Sequence, residues 1–417
     1  MCGVSMGTRE LPPDLNEYAR AWEAHWSRFA VRPDGWPAEA WDESAYRVQA
    51  LRLFELQYRH NEPYRRWCDA CGVRPDRLDD WRGIPAVPTP AFAEFDFTCL
   101  PPEAREVTFC SSGTTRGRPS RHFHGRATLG VYERALWWAF ERALLPDRPA
   151  PGALELLVLM PSPAGAPHSS LVYMCETICR RLGRGPEVFV ARAGPGGAWV
   201  LDAGAAWSSL GRWAVAGRPV MILATAFTLV HLLEAKGFES QRVALPPGSR
   251  VMETGGYKGR SRELSPVELR AALEERLGVP AAAVVGEYGM CELSSQAYDG
   301  VWAGGNWGSG RAGESASGPR DMGRIRVRPW FRFPPWVRIR VVDPETGADV
   351  ADGQVGLLRV YDLANVGSVL AVQTEDLVEK VRDGFRFRGR AAGAGPRGCS
   401  LWAEDEPVPE GTGSADV

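Results

Sequence analysis

The chain has 417 residues, with 49 Lys and Arg against 51 Asp and Glu, for a formal net charge of −2. That length suits two or three domains or subdomains, and the near-neutral balance excludes the global basic field of a nucleic-acid or anionic-membrane binder. No run of about 18 apolar residues occurs and residues 1–6 lack the basic and apolar parts of a secretory leader, so no membrane contact and a cytoplasmic location are expected.

Residues 14–82 read as helices, because apolar and aromatic side chains recur at three- and four-residue steps, as across 45–54. Pro85, Pro88 and Pro90 end that region. Strands are predicted at 106–110, 154–160, 219–224 and 250–254, with a further short run at 282–285. Helices are predicted at 128–142, 171–181, 228–236 and 265–277, the last with Ser265 as N-cap and Pro266 in its first turn. Strands alternating with helices imply an α/β fold with a doubly wound, mostly parallel sheet. After residue 320 the pattern turns to short antiparallel strands at 324–327, 336–342 and 356–360, with a turn at 343–347, so a small β subdomain is expected. Residues 403–417 are acidic and rich in Pro and Gly.

Nine cysteines at uneven spacing fit reduced thiols rather than a disulfide framework. Cys68-x-x-Cys71 has no second Cys/His pair at metal spacing and reads as two thiols near a helix end. Cys175 and Cys179, four apart, are expected on one core face.

Four loops carry residue types suited to chemistry. Cys110-Ser111-Ser112-Gly113-Thr114-Thr115 follows a strand and offers hydroxyls and backbone N–H groups to a polyphosphate, with Arg116, Arg118 and Arg121 adding positive charge at its edge. It lacks the Walker spacing, and the same composition also makes a polar surface turn. Tyr288-Gly289-Met290-Cys291-Glu292 offers a flat ring, a close backbone approach and a hard oxygen ligand for Mg²⁺. Thr374-x-Asp376 places an acid at an expected strand end, where it suits ribose hydroxyls or simply a β-turn. Gly389-Arg390 and then Arg397-Gly398-Cys399 bring phosphate-bridging arginines and a thiol whose thiolate form positive charge would favour.

These pieces stand in the order and spacing of the ANL adenylate-forming superfamily. Ser111 to Thr115 resembles its phosphate loop, Gly255-Gly256 its adenine-backing loop, Tyr288-Gly289-x-x-Glu292 its Y-G-x-T-E turn, Thr374-x-Asp376 its ribose-gripping T-x-D, and Gly389-Arg390 the opening of its hinge. Within the superfamily the chain is similar to the acyl-protein synthetases of LuxE type, and next to phenylacetate-CoA ligases. Pro85-Ala86-Val87-Pro88, Ser169-Ser170-Leu171-Val172-Tyr173 and Arg397-Gly398-Cys399 carry that likeness, which covers residues 45–402. Two departures stand out: Ser120 lies near the place of the loop lysine, and Ala392 replaces the hinge aspartate. The chain stops soon after the hinge, so the reading expects no small C-terminal domain, and neither Lys258 nor Lys380 can be assigned the role of that domain's lysine from sequence.

The resemblance implies a helical N-terminal region at 1–100, an α/β adenylate-forming core at 101–315, a small β subdomain at 316–390 and a residual hinge and tail at 391–417. It implies ATP and Mg²⁺ as cofactors and activation of a carboxylic acid, a fatty acid first, to acyl-AMP. The phosphates would lie on Ser111, Ser112, Gly113, Thr114 and Thr115, with Thr115 also catalytic. The adenosine would lie on Gly255, Gly256, Tyr288, Gly289, Asp376 and Arg390, with Glu292 as metal ligand. Cys399 would take the acyl group and pass it to a partner reductase or carrier protein, and His168 and Ser169 would contact the acid. The alternatives are an acyl- or aryl-CoA ligase, which releases AMP on CoA, and a catalytically degenerate nucleotide-binding partner protein. No nucleic-acid partner is expected.

Overall fold

A computed structural model describes residues 10–29, 42–111, 118–194, 199–255, 264–300 and 330–391. The chain opens with three helices, α1 (Pro13–Phe29), α2 (Glu43–His60) and α3 (Glu62–Ala70). Asp42 caps α2 by accepting the Ala45 N–H at 2.7 Å, and Asn61 starts α3 by accepting from Tyr64 N–H at 3.2 Å. Tyr46, Ala50, Leu53, Phe54 and Gln57 form the buried stripe of α2. Past the prolines, a two-residue strand, β1 (Val87–Pro88), leads to a single-turn helix, α4 (Ala91–Glu94).

A hairpin of β2 (Val107–Cys110) and β3 (Arg121–His124) follows, then α5 (Arg126–Leu144). The large sheet is built from β4 (Glu155–Pro161), β5 (Phe189–Ala193), β6 (Trp199–Leu201), β7 (Val220–Thr225), β8 (Arg250–Thr254), β9 (Val284–Tyr288) and β10 (Ala297–Tyr298). Its order is β10-β9-β8-β7-β4-β5-β6. The five central strands run parallel, and β6 and β10 close the edges antiparallel. After β4 the chain steps to β5 on one side and later to β7 on the other, so the order reverses beside β4. In doubly wound sheets ligands bind outside the carboxyl ends of the strands near such a reversal.

Alternation along the strands explains why both faces are covered. Leu156, Val158, Met160, Met221, Leu223, Met252 and Val285 face one core, with α5 and α6 (Ser170–Arg181). Leu157, Leu159, Val220, Ile222, Ala224, Val251 and Val284 face the other, with α7 (Ala203–Val215), α8 (Ala226–Leu233) and α9 (Pro266–Leu277). Cys175 and Cys179 are both buried in the first core, while Cys68 is buried and Cys71 exposed at the end of α3.

The second sheet joins β11 (Val337–Val342), β12 (Val355–Asp362), β13 (Ala371–Val381) and β14 (Gly384–Arg390) as antiparallel neighbours. β1 adds to it in parallel, Val87 opposite Val372. The predicted turn between β11 and β12 is an Asx turn, with the Asp343 carboxylate accepting from Glu345 and Thr346 N–H groups. The predicted strand at 324–327 lies outside the described residues.

Candidate functional site

The hairpin of β2 and β3 ends at Ser111, whose hydroxyl accepts the Ser120 N–H at 2.9 Å and whose own N–H donates to the Ser120 carbonyl. The loop between them is thereby closed at its base. The segment after β4 docks on the same hairpin: Cys110 N–H donates to the His168 carbonyl at 2.8 Å, and His168 Nδ1 donates to the Thr108 carbonyl at 3.1 Å. A carbonyl only accepts, so Nδ1 carries the proton. Exposed His168 therefore stands beside the base of the loop. The Ser169 hydroxyl accepts the Val172 N–H and caps α6.

Two turns at the carboxyl end of the large sheet complete the site. β8 runs straight into Gly255, held at φ 72°, a left-handed conformation that favours glycine. β9 ends at Tyr288, whose hydroxyl donates to Asp376 Oδ2 at 2.7 Å. Its ring packs edge-on against Phe385, with centroids 5.1 Å apart, and also touches Phe331 and Phe333. Burial, followed by the Asp376 carboxylate, pushes the Tyr288 pKa well up, so the hydroxyl stays a donor. Asp376 Oδ1 lies 3.3 Å from Arg390 Nε, and Arg390 also pairs with Glu375 at 2.8 Å. The Asp376 N–H donates to the Thr374 hydroxyl, which donates to the Leu358 carbonyl. Thr374-x-Asp376 thus fixes its own aspartate.

Glu292 is buried behind this turn, with the Cys291 thiol donating to its Oε2 at 3.2 Å. His122 of β3 bonds the Cys291 carbonyl through Nδ1 at 2.5 Å. Burial lowers the His122 pKa, against the opposing pull of the Cys291 carbonyl and Glu292. A neutral ring therefore links the loop-bearing hairpin to the Tyr288–Glu292 turn. Asn365 holds the turn from the other side, donating through Nδ2 to the Glu292 carbonyl at 3.0 Å and the Val369 carbonyl at 2.8 Å.

Ser111, Gly255, Tyr288, Gly289, Glu292, Asp376 and Arg390 are thus placed around one end of the large sheet and the adjoining β13–β14 pair. Ser112, Gly113, Thr114, Thr115, Gly256 and Cys399 lie outside the described residues. Two expectations are corrected. Asp376 lies within β13 rather than at a strand end, because β14 extends the pairing past it, with a register shift between Leu377 and Val378. The positive edge expected from Arg121 is offset by Asp96, 2.8 Å from its guanidinium. His122 and Asn365 were not singled out from the sequence, where they are an ordinary strand histidine and an ordinary loop asparagine. Their value arises only from contacts across the fold.

A doubly wound sheet with this turn at its carboxyl end, joined to an antiparallel sheet that supplies Asp376, is the fold of the ANL adenylate-forming enzymes. The crystal structure of 2-hydroxyisobutyryl-CoA ligase in an open conformation, with 2-HIB-AMP and CoA, matches it with a TM-score of 0.59 at 16% identity, over 86% of this chain and 71% of that one. The same ligase in its thioesterification state gives a TM-score of 0.60 at 18% identity, over 86% and 70%. No family model matches the chain. A stretch of 77 residues is 34% identical to a long-chain-fatty-acid–luciferin-component ligase of Aliivibrio fischeri. That stretch spans 16% of this chain and about a fifth of the relative's length.

Proposed function

We propose that the chain is an adenylate-forming ligase that joins ATP and a carboxylic acid, releasing pyrophosphate and forming an acyl-AMP. The observation that carries this reading is the Tyr288–Asp376 hydrogen bond at the carboxyl end of the large sheet, tied through His122 to the base of the Ser111 loop. Such a frame would hold an adenosine beside its phosphates. A carboxylate oxygen attacks the α-phosphorus and pyrophosphate leaves, a step that depends on positioning and charge stabilisation. Ser111, Ser112, Gly113, Thr114 and Thr115 would hold the phosphates, with Gly255, Gly256, Tyr288, Gly289, Asp376 and Arg390 placing the nucleoside.

Among the described residues no group of three or more His, Cys, Asp or Glu side chains is arranged to hold a metal. A single hard carboxylate, Glu292, suits Mg²⁺, which binds one or two carboxylates together with substrate phosphates and water. The bound ion would offset phosphate charge. The acyl group would then pass to a thiol, by attack of a thiolate on the carbonyl carbon with AMP leaving. Cys399 is the proposed thiol and a partner protein the onward acceptor. The fatty-acid ligase relative makes a fatty acid the first substrate to try.

Carboxylate-dependent ATP–pyrophosphate exchange tests the reading. Exchange is expected in the wild type, with the ATP KM raised about tenfold or more by Asp376→Asn. No exchange with any acid would overturn it. Intact-mass analysis after incubation with ATP and the active acid should show an acyl adduct that Cys399→Ala abolishes, whereas CoA-dependent AMP release without an adduct would make the chain a CoA ligase.

A further inference from the structure

One buried polar group of the large sheet has no part in holding the nucleotide. On the face that packs against α5 and α6, Thr254, Glu287 and Tyr298 stand side by side across β8, β9 and β10, register partners in turn. All three are buried. The Thr254 hydroxyl donates to Glu287 Oε2. The Tyr298 hydroxyl has no hydrogen-bond partner among the described residues, and neither does Oε1 of buried Gln296. Both ring nitrogens of His124, 2% exposed, are likewise unpartnered.

These groups belong to one neighbourhood. The His124 ring lies 5.4 Å from that of Tyr132 on α5, and Tyr132, Glu287 and Cys175 all bear electrostatically on Tyr298. A Cβ on Gly289 would meet Glu287 Oε1 at 2.5 Å and Gln296 Cγ at 3.5 Å, so both side chains gather directly beneath the Tyr288–Glu292 turn. Buried polar atoms are paired in the great majority of folded interiors, so several orphans in one place point to a missing partner. One of them, Gln296 Oε1, is an acceptor, and the Tyr298 hydroxyl both donates and accepts. A hydrocarbon chain satisfies none of these.

We propose that Tyr298, Glu287, Gln296 and His124 form the acyl subsite, and that the acid activated here carries a hydrogen-bond-donating substituent, a hydroxyl or amino group, rather than a plain alkyl chain. This rests on the adenylation reading above and refines its substrate class. The test is pyrophosphate exchange with matched acids: straight-chain acids against their hydroxylated and aminated counterparts, and benzoic acid against its hydroxy and amino derivatives. A substituted acid should exceed its plain counterpart by at least about tenfold in kcat/KM, because a site built to hydrogen-bond a substrate group discriminates against analogues lacking it. Tyr298→Phe and Gln296→Met should each reduce that ratio through loss on the substituted acid, with circular dichroism melts confirming the fold. Plain acids used as well as substituted ones, or a ratio unmoved by both variants, would overturn the subsite while leaving adenylation standing. No exchange with any acid would overturn adenylation, and the subsite with it.

Discussion

Glu287 shows what burying an acid does at the scale of one residue. It sits 6% exposed on β9, and desolvation lifts its pKa from 4.5 to about 7 despite the hydrogen bond from Thr254. The folded protein therefore holds this proton more tightly than the unfolded chain. The stability it contributes is fully present below pH 4.5 and is lost as pH rises through about 7, a change of up to about 3 kcal/mol. Glu287→Gln removes that dependence. Relative to wild type, the variant should gain stability between pH 4.5 and about pH 8 in urea titrations, and a constant difference across that range would show that Glu287 does not titrate as described. Residue identity was legible from local spacing where a motif supplies its own contacts, as Thr374 does for Asp376. It was not legible at Glu287, where only the fold shows that neighbouring strands bury the carboxylate.

At the scale of elements, strong local signals placed most of the large sheet and its helices. Ser265 caps α9 as expected: its hydroxyl accepts the Glu268 N–H, and the Glu268 carboxylate accepts the Ser265 N–H at 2.7 Å. Ser265→Ala should cost about 1 kcal/mol in thermal or chemical unfolding. An unchanged midpoint would show that the cap is not used. Where expectation and structure differ, a cap or a weak pattern is responsible. α8 begins at Ala226, two residues before the predicted start, because Thr225 and Thr228 form a reciprocal capping box. α7 was missed because glycine and serine interrupt its apolar repeat, and β5 because it is a five-residue strand with two exposed positions. β13 runs in blocks, Ala371-Val372 apolar, Gln373 to Asp376 polar and Leu377-Val378 apolar, and its pairing carries register shifts on both sides, so no regular period of two marks it.

At the scale of the whole molecule, a buried segment at 363–370 joins the helices, the β subdomain and the candidate site. Gln57 of α2 donates to the Asn365 and Val366 carbonyls and accepts the Leu370 N–H. Asn61 donates to the Ser368 carbonyl, and the Ser368 hydroxyl donates to the Phe97 carbonyl. Asp362, also buried, accepts from the Ser294 N–H and the Ser295 hydroxyl. Asn365→Ala would leave the Glu292 and Val369 carbonyls without their Asn365 donor, so a loss of about 2–4 kcal/mol is expected in urea unfolding. A loss well under about 1 kcal/mol would show that water replaces the amide. None of this web follows from local sequence, since its partners lie far apart along the chain.

The Tyr46 hydroxyl donates to the Tyr361 carbonyl, 315 residues further on. During synthesis the amino-terminal helices must therefore wait, apolar stripe uncovered, until the ribosome has delivered the strands they rest on. Shielding by chaperones falls naturally in that interval, and a message cut short before β12 would release a sticky intermediate rather than a smaller working protein.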